Sequence, residues 1–206
     1  MARRGPIRVK FCGITRTEDA EAAAALGASA IGLVFVDASP RAVDVEQARA
    51  ICRGLPPLVP AVGLFMNAEP DRVRAVCRRV PLNFLQFHGD ETPAYCDAFE
   101  RPYFKALPMA SPDKVQYDLW PDAAALLLDA HAAGGMGGSG RTFDWASARL
   151  PDRPWILAGG LDPDNIAEAV RALAPPAVDV SSGIERAPGI KDARLMARFM
   201  ERIGND

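Results

Sequence analysis

A single TIM-type (β/α)8 barrel of the α/β class, eight parallel strands ringed by helices over residues 1–206, is the fold this sequence predicts. Three observations predict it. Short apolar stretches alternate with helical stretches about eight times. Continuous apolar strands separated by helices indicate a parallel sheet covered on its outside. The 206 residues are 49% apolar, enough for a sizeable core and near the lower length limit of a closed barrel. No compositional shift marks a second domain. An open doubly wound sheet is the alternative, but no GxGxxG turn follows the first strand to support a dinucleotide site.

The first strand is read from Ile7, Val9 and Phe11 alternating with Arg8 and Lys10, a period of two. It breaks at Cys12-Gly13, where glycine tolerates unusual backbone angles. Thr15 or Thr17 can cap a helix running to Leu26, and Gly27 ends it. Ser29 to Phe35 reads as a buried strand, Asp37 to Arg41 as a loop, and Val43 to Arg53 as a helix started near Asp44. Val59 to Phe65 is the third strand. Pro70 to Val80 is a helix whose proline sits in the first turn, where its missing N–H is harmless. Leu82 to Phe87 is a strand ending in His88-Gly89-Asp90, and Thr92 caps a helix over Pro93 to Phe99. Tyr103 to Ala106 is a short strand, and Ser111 to Trp120 a helix candidate. Ala123 to Asp129 is an apolar strand with an acid at its C-terminal end.

A loop with five glycines spans Ala130 to Arg141, before a short helix over Asp144 to Leu150. Trp155 to Leu157 is the seventh strand and ends in Ala158-Gly159-Gly160. Asp162-Pro163 starts a helix leading to Leu173. Ala177 to Val180 is the eighth strand, followed by Ser181-Ser182-Gly183, and a last helix covers Lys191 to Ile203.

The net charge of −2 gives no basic field for nucleic acid. No apolar run approaches the ~20 residues that cross a bilayer. The N-terminus leads into a charged strand, not a signal peptide's apolar core. Cys12, Cys52, Cys77 and Cys96 have neither CxxC nor zinc-type spacing, so a reducing cytoplasm is the expected location and no metal site is expected.

A barrel's chemistry sits at the C-terminal ends of its strands. Those ends carry Cys12, Arg41, His88, Asp129, Gly159-Gly160 and Ser181-Ser182-Gly183. The turns after strands seven and eight are where barrel phosphate sites recur, because glycine admits backbone N–H groups close to the oxygens; they also read as ordinary tight turns. Gly137-Gly138-Ser139-Gly140 either closes over the same phosphate or forms a lid without contact. Arg41 offers the paired donors of a carboxylate site, or a surface salt bridge. His88 can orient a substrate or pair with Asp90. Cys12 and Asp129, from strands one and six, can meet across the mouth as base and acid. Lys10 would favour the thiolate, and apolar surroundings would favour a protonated Asp129. The other reading is a buried thiol and a loop-capping carboxylate.

At these residues the chain resembles the phosphoribosylanthranilate isomerase family of tryptophan biosynthesis over essentially its whole length. The resemblance rests on Lys10-Phe11-Cys12-Gly13-Ile14-Thr15, Ser39-Pro40-Arg41, Leu85-Gln86-Phe87-His88-Gly89-Asp90 and Gly138-Ser139-Gly140-Arg141-Thr142-Phe143-Asp144-Trp145. It also rests on Leu157-Ala158-Gly159-Gly160-Leu161 and Val178-Asp179-Val180-Ser181-Ser182-Gly183-Ile184-Glu185. Phe11 and Phe87 depart from the aliphatic residues common in the family. The resemblance implies an Amadori rearrangement of N-(5-phosphoribosyl)anthranilate to the aminoketose, with Asp129 as general acid and Cys12 as general base. Arg41, with His88, would hold the anthranilate carboxylate. Gly138, Ser139, Gly159, Gly160, Ser182 and Gly183 would hold the phosphate. Proton transfers alone suffice, so no cofactor is implied. A small phosphosugar–anthranilate molecule is the implied partner, and a monomer or weak homodimer the expected assembly. An indole-glycerol-phosphate synthase would instead need catalytic lysines at strand ends, with Lys105 the only further strand lysine. A ribulose-phosphate epimerase would need a metal cluster, and a phosphate-ligand sensor would need neither Cys12 nor Asp129.

Overall fold

A computed structural model describes residues 5–109, 115–130 and 149–204. Eight strands, β1 (Arg8–Phe11), β2 (Ala30–Val34), β3 (Ala61–Phe65), β4 (Phe84–Phe87), β5 (Tyr103–Pro108), β6 (Ala125–Asp129), β7 (Trp155–Ala158) and β8 (Ala177–Val180), close into one barrel in sequence order. All neighbours are parallel. The barrel shuts where Lys10 of β1 pairs with Asp179 of β8. The described helices are α1 (Thr17–Ala25), α2 (Val45–Gly54), α3 (Pro70–Arg79), α4 (Pro93–Asp97), α5 (Ile166–Leu173) and α6 (Ala193–Gly204).

Strand alternation sorts side chains into two apolar layers. Val9, Phe11, Leu85, Phe87, Leu126, Leu128, Trp155 and Leu157 point outward into the large core beneath the helices. Ala106, Ala125, Leu127, Ile156 and Ala158 form a smaller cluster inside the barrel. Phe84 and Phe104 stack at 5.0 Å beside that inner cluster. Above the apolar floor, the inner face turns polar at the strand C-termini. The two unusual phenylalanines belong to the outer layer and not to the mouth. Phe11 meets Phe199 of α6 at 6.3 Å, and Phe87 lies 5.6 Å from both Tyr95 and Phe99. Each such aromatic pair contributes about 0.5–1.5 kcal/mol beyond its burial.

Helix starts follow local chemistry with some exceptions. Asp44 caps α2 by accepting from Gln47 N at 2.8 Å, and Thr92 caps α4 by accepting from Tyr95 N. Neither Thr15 nor Thr17 caps α1: the cap position is Arg16, and the Thr15 hydroxyl donates to Gly189 O at 2.5 Å. Asp162 does open the turn before α5, accepting from Asn165 N at 3.0 Å, but regular helix begins only at Ile166. Of the segment expected as helix over Ser111 to Trp120, the described residues 115–120 contain a single 3-10 turn, Tyr117–Leu119. Lys191 is not helical. It belongs to an antiparallel hairpin, β9 (Glu185–Ala187) and β10 (Ile190–Lys191), turned at Pro188-Gly189. The loop containing Gly138 and Ser139, and all but Arg149 and Leu150 of the helix expected after it, lie outside the described residues.

Candidate active site

The inner-face residues at the strand C-termini converge on one cleft. Cys12, Arg41, Gln86, His88, Asp129, Gly159, Gly160, Asp179, Ser181 and Ser182 all line it, and it encloses about 730 Å³ up to its open rim.

Cys12 follows β1 on the same face as Lys10, two residues earlier. Both are buried. Gly32 on β2 makes room for them: a Cβ there would stand 2.7 Å from Cys12 Sγ and 2.9 Å from Lys10 Nζ. Lys10 Nζ donates to Asp179 Oδ1 at 2.8 Å across the seam that closes the barrel. Burial opposes the Lys10 charge, but Asp179 and Cys12 outweigh it and hold the ammonium above its ordinary range. Burial pushes the Cys12 thiol up, Asp179 adds to this, and Lys10 and Lys191 work against them. The resting form is therefore a thiol whose anion, once formed, is strongly basic and has a cation at hand.

Asp129 ends β6 on the inner face, in step with Ala125 and Leu127. Its Oδ2 lies 3.3 Å from His88 Nε2. Gln86, two residues before His88 on the same face, places its Nε2 3.1 Å from His88 Nδ1. Among the described residues the Gln86 amide oxygen, buried in the cleft wall, has no partner. The His88 ring lies against Asp129 in the same cleft wall that Arg41 lines, and the Asp90 amide N–H donates to Asn67 Oδ1.

Arg41 lines the cleft from the loop after β2. Its Nε and Nη2 each donate to Glu185 at 2.8 Å, a two-pronged pair. It is a largely buried ion pair, with side chains 13% and 5% exposed, and not a surface salt bridge.

The two expected phosphate turns meet side by side, but their glycines serve different ends. Gly160 and Ser182 line the cleft. Among the described residues no protein acceptor takes their amide N–H groups. Gly183 is not in the cleft wall: a Cβ there would overlap Leu161 O and stand 2.7 Å from Asp162 Cβ, so this glycine lets the β7 and β8 turns pack together. Gly159 has φ +85°, and a Cβ would stand 2.7 Å from Asp129 Oδ1. It leaves room for the acid.

Sequence reasoning missed four residues of this site: Gln86, Asp179, Glu185 and Lys191. Gln86 and Asp179 carried a legible signal, since each is a polar residue on the inward period of a strand. Lys105 is resolved by the same rule. It faces outward and is buried against Glu91 at 3.1 Å, so it cannot serve as a mouth lysine. Among the described residues no His, Cys, Asp and Glu group has the arrangement of a metal site.

The family model described as N-(5'phosphoribosyl)anthranilate (PRA) isomerase matches residues 9–202. This chain belongs to that family. Among its relatives, the N-(5'-phosphoribosyl)anthranilate isomerase of Acidithiobacillus ferrooxidans is 54% identical over 201 residues, covering 96% of this chain and 97% of that one. The phosphoribosyl anthranilate isomerase structure from Thermotoga maritima superposes with TM-score 0.86 at 37% identity, covering 97% of this chain and all of the other. A further structure of such an isomerase, TM-score 0.77 and 35% identical over 97% of this chain and 100% of its own, is a complex with reduced 1-(o-carboxyphenylamino)-1-deoxyribulose 5-phosphate.

Proposed function

We infer that this chain isomerises N-(5-phosphoribosyl)anthranilate to 1-(2-carboxyphenylamino)-1-deoxyribulose 5-phosphate in tryptophan biosynthesis. The observation that carries this reading is the shared cleft. A thiol and a carboxyl line it together, with the Arg41 guanidinium and the open amides of Gly160 and Ser182 in the same wall. The phosphate binds at those two amides, helped by the Ser182 hydroxyl, and the anthranilate carboxylate binds at Arg41. Asp129, steadied by His88, gives its proton to the ribose ring oxygen. The C1–O bond breaks and a protonated Schiff base forms. That cation acidifies C2, and Cys12, its thiol proton first released to solvent, takes the C2 proton as the thiolate beside Lys10. The resulting enolamine tautomerises to the ketone, so the reaction neither gains nor loses atoms. The orphan oxygen of Gln86 offers an acceptor to a ribose hydroxyl.

The four cysteines of the chain suit a reducing cytoplasm, the location we assign, and the described helices include none long and apolar enough to cross a membrane. Monomer or weak homodimer is the assembly we assign.

Turnover of freshly made phosphoribosylanthranilate, followed by loss of anthranilate fluorescence, tests the reading. Conversion to the aminoketose without added metal or cofactor is expected. Tight binding without turnover would point to a sensor and overturn it.

A further inference from the structure

The hairpin β9–β10 has no part in the barrel or the helical ring, yet it is tied down at several points. The Thr15 hydroxyl donates to Gly189 O at 2.5 Å, and a Cβ on Gly189 would stand 2.8 Å from Pro40 O. The hairpin is thereby clamped against the β1 and β2 loops, the latter being the loop that carries Arg41. Its paired ends, Glu185 and Lys191, are register partners. Lys191 Nζ donates to Glu185 Oε1 at 2.8 Å and to Ser181 O at 3.0 Å, while its backbone N–H donates to Asp19 Oδ2. Glu185 Oε1 takes Arg41 Nε as well, and Oε2 takes Arg41 Nη2. Both Glu185 oxygens are thus used. Among the described residues Arg41 Nη1 donates to no protein acceptor.

Two consequences follow. First, the guanidinium plane is held by a planar carboxylate that is itself held by a second cation, so Arg41 has little freedom to turn. Second, two cations face one anion. The cluster carries one surplus positive charge beside the cleft, which matches a single substrate carboxylate. Burial works against the Glu185 charge, but Arg41 and Lys191 more than compensate and hold its carboxyl below the ordinary range, while burial holds the Lys191 ammonium below its own ordinary range against the pull of Glu185.

We propose that Glu185 and Lys191 are positioning residues that aim Arg41 at the anthranilate carboxylate and so set selectivity for a carboxylated aminoaldose. The inference rests on the assignment of that carboxylate to Arg41. Uncharged Glu185 would add net positive charge to the cleft, so a purely electrostatic role predicts tighter substrate binding. Lost aim predicts weaker binding, about 10- to 100-fold, the scale for a misplacement near 1 Å.

The experiment compares two substrates, phosphoribosylanthranilate and its aniline counterpart without the carboxylate, on wild type, Arg41→Ala and Glu185→Gln. Expected is a rise of KM for the carboxylated substrate in Glu185→Gln by about 10-fold or more, with kcat little changed. On the aniline substrate the same variant should stay within about 3-fold of wild type, since the positioned group has nothing to hold. Equal losses on both substrates would mean a structural role and overturn the inference, as would a lower KM. If Arg41→Ala fails to discriminate the substrates, the carboxylate assignment itself falls. If it discriminates and Glu185→Gln does not, only the positioning role falls. Should Glu185→Gln not accumulate, Glu185→Asp keeps the charge but withdraws it by one methylene. It must show the same selectivity loss, and wild-type selectivity there refutes the proposal.

Discussion

Gly159→Ala separates two readings of the turn after β7. If the glycine serves only phosphate binding, KM rises and kcat holds. If it makes room for Asp129, kcat falls. The backbone at Gly159 has φ +85°, and placing alanine in the left-handed region costs about 1–2 kcal/mol. The new Cβ would also overlap Ala130 N and stand 2.6 Å from Ala130 Cβ and 2.7 Å from Asp129 Oδ1. Reaching an ordinary contact of 3.4 Å requires Asp129 Oδ1 to move by about 0.7 Å and the backbone at Ala130 N by about 1.1 Å. Overpacking of this kind costs about 1–3 kcal/mol more. The total, roughly 2–5 kcal/mol, corresponds to a melting temperature lower by roughly 5–15 °C for a chain of this size. Displacing the acid by that distance should lower kcat about 10- to 100-fold. Thermal melts and fluorescence turnover over a substrate series measure both. Wild-type kcat with a raised KM would refute the crowding of Asp129, and unchanged stability would refute the geometry from which it is drawn.

Cys12→Ser should cut kcat about 100-fold or more with KM changed only slightly, because a hydroxyl is a far weaker base in its neutral form; near-wild-type turnover removes Cys12 from that role. Asp129→Asn should cost a similar factor in kcat, and a variant that still turns over freely would place the acid elsewhere. Lys105→Met leaves Glu91 buried without its cation, although Glu91 still accepts from Asn67 N and Gly89 N at 2.8 Å. A loss of about 3–5 kcal/mol in a urea titration is expected, and a change under 1 kcal/mol would refute the importance of the pair. Glu185 has its folded carboxyl held below the ordinary value of 4.5, where burial is outweighed by Arg41 and Lys191. The unfolded chain then binds the proton first as pH falls. Glu185 therefore contributes stability that is fully present above about pH 4.5 and is lost as pH drops through the lower folded value. The melting temperature of Glu185→Gln should decline less steeply than wild type in acid, and parallel acid limbs would contradict this.

How much of the site was legible depended on whether the signal was local. Cys12, Asp129 and the turns at Gly160 and Ser182 stand at strand C-termini, and a strand end is visible in the alternation of its own few residues. The same alternation, applied to β5, would have turned Lys105 outward. The partner of His88 was not legible, because Asp90 is near in sequence while Asp129 is near only in space. The hairpin was hidden for a different reason. Its strands are three and two residues long, too short for a period to show, and only Pro188-Gly189 marked a turn.

From the sequence alone come the number and order of the barrel units, the two faces of the first strand, and the chemical groups at the mouth. These are consequences of a two-residue period and of what each side chain is. Tertiary structure alone decided which groups touch. Barrel closure set Lys10 against Asp179, separated by 169 positions, and brought Glu185 to Arg41 across 144. It also turned Gly159 into space for a carboxyl. No local pattern encodes such pairings, because they depend on where eight strands meet once the sheet has curled upon itself.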